Sequence, residues 1–166
     1  TRPDYLERNN RYLVSIDDTY HFLLHYDVTG THAVPGAQTI STEAPDYIIA
    51  AEEALRKAWH VLASPDSFGF DIPPMDNVGY PEDPPNGAWD IYFSNQNFYG
   101  WTQPEDLVES TQQPNDYTGY IEIENDFAGF LTTGLPAVRV TTAHELFHLF
   151  HLGYAFKTDD LWWYEL

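Results

Sequence analysis

Residues 138–153 read V-R-V-T-T-A-H-E-L-F-H-L-F-H-L-G, and this stretch decides the fold. Its apolar positions Val138, Val140, Ala143, Leu146, Phe147, Leu149 and Phe150 predict a greasy helix, with Pro136 in its first turn and Gly153 at its stop. Helical positions four apart stack on one face, so the imidazoles of His144 and His148 can converge on one cation. Glu145 lies about 100° further round the axis, close enough to reach a water beside that cation without ligating it. This is the H-E-x-x-H arrangement, in which two histidines take zinc and the glutamate acts as general base. The bland alternative is a buried helix whose histidines hydrogen-bond locally. Three histidines and a glutamate in so apolar a helix would be costly to bury without partners, which favours a site.

His151 shares that face, but it lies about 10.5 Å along the axis from His144. Three imidazoles so spread cannot meet one ion at bonds of about 2.0–2.1 Å, so His151 reads as a cleft-lining, supporting or helix-capping residue. Metzincins place Gly and then His at the third and sixth positions after the second motif histidine. Here those positions hold His151 and Tyr154, and the single methionine, Met75, lies far upstream, so that branch has little support. A third ligand must come from further on. Glu165, in the W-W-Y-E of residues 162–165, is the first candidate. Asp159 and Asp160 are its rivals, although they read more easily as the acidic start of a second helix.

At these residues the chain resembles the gluzincin-type zinc metallopeptidases, whose third ligand is a glutamate on the helix after the active-site helix. It resembles in particular a group of secreted bacterial metalloproteases with W-x-x-E after H-E-x-x-H, matched by Trp162 and Glu165. The run F-Y-G-W-T-Q-P-E at 98–105 matches the Y-G-aromatic-T-x-P-E turn of the same group, independently of the histidines. The resemblance implies a zinc-dependent endopeptidase, secreted or on the cell surface, with Glu145 as base and His144, His148 and Glu165 as ligands. Tyr154 and Tyr164 lie near that constellation, whereas the gluzincin oxyanion donor lies beyond the glutamate helix. Members of the group continue past that glutamate into a further helical subdomain. Leu166 is the last residue here, so the chain reads as a catalytic half cut after the third-ligand region. The group often carries an acidic Asn-Gly loop before Pro-Asp-Tyr, of which only Pro45, Asp46 and Tyr47 are matched. Asp71, Asp76, Glu82 and Asp83 are a candidate Ca²⁺ set without regular ligand spacing.

With 26 Asp and Glu against 7 Lys and Arg, the net charge of −19 argues against nucleic acid and against docking on an anionic membrane. No run approaches a membrane-spanning length. Zero cysteines exclude disulfides, thiolate metal ligands and a cysteine nucleophile. The expected partner is a peptide or protein substrate, with self-association as an open alternative.

Residues 1–19 read as a polar, irregular N-terminal arm, and 20–166 as one zincin-like domain. Residues 20–28 predict a strand, on which His21 and His25 stand about 13 Å apart as surface or interstrand residues rather than a metal pair. Asp46 to Ala63 predicts an amphipathic backing helix, 64–85 a proline-broken loop and 87–93 a strand. Residues 119–127 alternate, and their place before the active helix makes Tyr120, Ile121, Glu122 and Ile123 the candidate edge strand for an extended substrate. The expected fold is α+β: a small mixed sheet, a backing helix and an active helix, as in the first half of a zincin. The competing expectation, from another class, is a catalytically inactive zincin-fold module serving interaction or assembly at a cell surface.

Overall fold

Apolar residues at every second position on four strands, set against two apolar helices, give the molecule its layers. The computed structural model describes residues 4–37, 43–75, 87–108 and 116–154. After a 3-10 turn at Asp4–Leu6, the elements are β1 (Asn10–Ile16), β2 (Tyr20–Tyr26), α1 (Asp46–Ala63), β3 (Trp89–Ser94), β4 (Gly100–Val108), β5 (Asp116–Glu124) and α2 (Gly134–Leu152). One five-stranded sheet runs in the order β1-β2-β3-β5-β4. Its centre, β2-β3-β5, is parallel, and each outer pair, β1-β2 and β4-β5, is antiparallel. A mixed sheet with two helices makes this an α+β fold. Among the described residues, no helix is long and apolar enough to cross a membrane.

The core lies between the sheet and the helices. Phe22 and Leu24 of β2, Trp89, Ile91 and Phe93 of β3 and Ile121 and Ile123 of β5 form one buried cluster with Ile48, Leu55, Trp59, Val138, Leu146, Leu149 and Phe150. Trp59 knits the two layers together, its ring centroid 5.2 Å from Trp89, 5.6 Å from Phe22 and 5.4 Å from Phe150. Burying side chains of this size contributes about 1.5–3 kcal/mol each. Gly119 lets α2 approach the sheet, since a Cβ there would lie 2.5 Å from the Gln103 carbonyl oxygen and 2.6 Å from Leu152 Cδ1.

Two sequence expectations are corrected. Residues 10–16 are not an irregular arm. Tyr12, Val14 and Ile16 alternate inward and β1 pairs along its whole length with β2, so the sheet begins well before residue 20. The turn joining them escapes a Gly- or Asn-based search because Asp17 and Asp18 supply its left-handed backbone, both at φ 53°. Second, β5 is not an edge. Tyr120, Ile121, Glu122 and Ile123 lie between β3 and β4, and the edge strand on that side of the sheet is β4. Residues 98–105, matched by resemblance to a turn, fall largely within β4, with Pro104 inside the strand. An edge strand tolerates a proline, and the ladder shifts register between Pro104 and Leu107.

The far face of the sheet carries polar groups, and the N-terminal segment covers them. Leu6 packs on Tyr92 and Tyr120. Tyr5 donates its hydroxyl to Glu122 Oε1 at 3.1 Å, and Arg8 Nε donates to the Phe93 carbonyl at 2.7 Å. His25 is an interstrand residue, as expected: its Nε2 meets Asp90 Oδ1 at 2.5 Å and its ring stacks on Tyr92.

Candidate metal centre

Helix α2 presents the motif as its period requires. His144 is exposed, Glu145 is 4% exposed and His148 is 8% exposed, so the three form a step from solvent into protein. The Nε2 atoms of His144 and His148 lie 2.8 Å apart, with the rings at 83°. The contact is a hydrogen bond between the two rings, one Nε2 donating and the other accepting according to tautomer, and it brings the same nitrogen of both rings to one place. Tetrahedral zinc with bonds of about 2.0–2.1 Å would separate those nitrogens by about 3.3 Å, so the rings would have to part by about 0.5 Å to take it. Burial first, then the neighbouring His144 and His151, pushes His148 down to about 4. It is therefore neutral near pH 7, the protonation state that a metal-ligating imidazole needs.

Glu145 is held from β4. Thr102 Oγ1 lies 2.8 Å from Glu145 Oε2 and 2.9 Å from the Glu145 carbonyl oxygen. Gly100, two residues before, leaves room for the carboxylate. A Cβ there would lie 2.8 Å from Glu145 Cγ and 2.9 Å from Oε1. In front of His144 and Glu145 opens a cleft of about 750 Å³, walled by Phe98, Tyr99, Gly100, Trp101, Val140 and Thr141 among others.

His151 sits beside His148, ring centroids 5.7 Å apart, and its edge meets Phe147 at 4.1 Å. That suits a supporting position rather than a ligand. Tyr154 is turned toward another loop. Its hydroxyl accepts the Asp71 backbone N–H at 2.8 Å and its ring meets Phe70 edge-on, so it does not line the cleft. Glu165, with Asp159, Asp160, Trp162 and Tyr164, lies outside the described residues, as do Asp76, Glu82 and Asp83 of the candidate Ca²⁺ set. Among the described residues, no three His, Cys, Asp or Glu side chains gather around one point. Within the described part the motif residues form two imidazoles in contact, with a buried glutamate next to them in the helix.

No family model, curated protein or solved structure matches this chain. The site therefore has to be read from its own geometry. The spacing of the three helical residues was legible in the sequence because helical geometry is rigid. The part played by Thr102 and Gly100 was not, because they meet Glu145 only once β4 is folded beside α2. Their signal was the run at 98–105, noted as a pattern without a role.

Proposed function

We propose that this chain carries the catalytic site of a zinc-dependent endopeptidase of the zincin type, with His144 and His148 as two of the ligands and Glu165 as the third. The observation that carries the reading is the convergence of the two imidazoles at 2.8 Å directly beside a glutamate held to the adjacent edge strand. When bound, zinc would polarise a scissile carbonyl and bring the pKa of a water close to neutrality. Glu145 would accept the proton of the attacking water and pass it to the leaving amine. Strand β4, bonded on one side to β5, offers its other edge to an extended peptide, and its Gly100 to Thr102 segment runs beside the base. Phe98 and Tyr99, 41% and 36% exposed, give that cleft an apolar wall suited to a bulky side chain. Extracellular or cell-surface action belongs to the same proposal.

The test is metal content together with cleavage. The purified chain is expected to hold about one zinc, and Glu145→Gln to abolish cleavage of fluorescently labelled casein while keeping the metal. Cleavage unaffected by that substitution, or absent from both forms, overturns the peptidase reading.

One observation favours a second reading, the assembly module. A groove of about 600 Å³ between α1 and α2 is lined by Ala54, Ala58, Val61, Val140, Ala143 and Phe147, with Glu53, Lys57 and Arg139 at its margin. Sedimentation of a zinc-free, inactive chain as a stable oligomer would favour it.

A further inference from the structure

Resting on the peptidase reading, the question is what aims Glu145. A helix fixes the Cβ of a glutamate but leaves its terminal torsions to be set by neighbours. A general base displaced by about 1 Å loses on the order of a hundredfold in rate.

Two positions on β4 limit that freedom. Thr102 has one hydroxyl proton and two acceptors within reach, Glu145 Oε2 at 2.8 Å and the Glu145 carbonyl oxygen at 2.9 Å. That single proton goes to Oε2 or is shared with the carbonyl oxygen, and in either arrangement the hydroxyl lies against the Glu145 carboxyl group. Gly100 acts from the other oxygen's side. It is free of the positive φ that marks other glycines of this chain, so space rather than backbone conformation calls for glycine there. Any side chain would meet Glu145 Oε1, Glu145 Cγ and, at 2.7 Å, Thr141 Cγ2.

We propose that Thr102 and Gly100 are positioning residues for the general base: the hydroxyl tethers one carboxylate oxygen of Glu145, and the missing side chain gives the other its place. They come from the strand that would bind substrate, so the base and the substrate backbone share one ruler. A merely structural threonine would instead contribute to strand-helix packing alone, and its loss would lower stability without a selective effect on turnover.

The zinc-loaded full chain is compared with Thr102→Val, Thr102→Ser and Gly100→Ala, using labelled casein, with kcat and KM separated and zinc content and melting recorded. Thr102→Val keeps the shape and loses the donor. Its kcat is expected to fall about tenfold to a hundredfold, with KM and bound zinc unchanged. Thr102→Ser restores the donor and should recover most of kcat. Gly100→Ala should lower kcat with the tether intact. Wild-type kcat in Thr102→Val, or a loss of zinc and melting temperature that accounts for the fall, overturns the proposal. If Thr102→Val does not fold, Gly100→Ala decides by the same criteria. Absence of cleavage by the zinc-loaded wild type defeats the peptidase reading and the positioning role together, whereas cleavage by wild type and Thr102→Val alike defeats the positioning role only.

Discussion

His144 and His148 turn their Nε2 atoms to within 2.8 Å of each other across one helical turn. Because His144 is exposed, replacing it by alanine should leave the metal-free fold within about 0.5 kcal/mol of wild type. Zinc at a hundredfold excess over its dissociation constant should stabilise wild type by about 2.7 kcal/mol and His144→Ala much less. Thermal melting with and without zinc, and after a chelator, reads the difference. Equal zinc shifts in both proteins would remove His144 from the site.

Glu122 gives the pH prediction. Burial raises its carboxyl above the ordinary range, opposed by the Tyr5 hydroxyl and by Arg8. A raised folded pKa means that the folded state holds the proton more tightly. Its contribution is full below the unfolded carboxylate value and is lost as pH rises through the folded one. Glu122→Gln keeps an acceptor for Tyr5 and removes the titration. Its melting temperature relative to wild type should therefore climb as pH rises from about 4 toward neutrality. A constant offset over that range would contradict the raised carboxyl.

Gly119→Ala tests the seat of α2 on the sheet. The added methyl meets the Gln103 carbonyl oxygen at 2.5 Å, and backbone cannot rotate away as a side chain can. A cost of about 1–3 kcal/mol is expected in denaturant unfolding. An unchanged midpoint would show that β4 and α2 have slack at this point.

Local rules carried much of this structure. The α1 boundaries were readable because apolar spacing and proline punctuation act within one helix, and Asp46–Ala63 emerged as expected. The strand at Trp89–Ser94 and the histidine pair on α2 followed from the same short-range periods. Strand order did not. Tyr120 to Ile123 read as an edge from their place just before the active helix, which does not fix strand order. Their outer face is covered instead by Tyr5, Leu6 and Arg8, more than a hundred residues earlier in the chain. β1 was hidden by a turn made of aspartates rather than glycine. Thr102 gained a role only from a partner 43 positions away.

Because the tether on Glu145 hangs from a strand bonded on one side and interrupted between Pro104 and Leu107, that margin can peel off while the Trp59-centred core stays intact. The molecule would then be disarmed before it is denatured. Heating should extinguish turnover several degrees below the loss of far-ultraviolet helix signal, and reversibly so. Coincident curves would mean that margin and core melt as one.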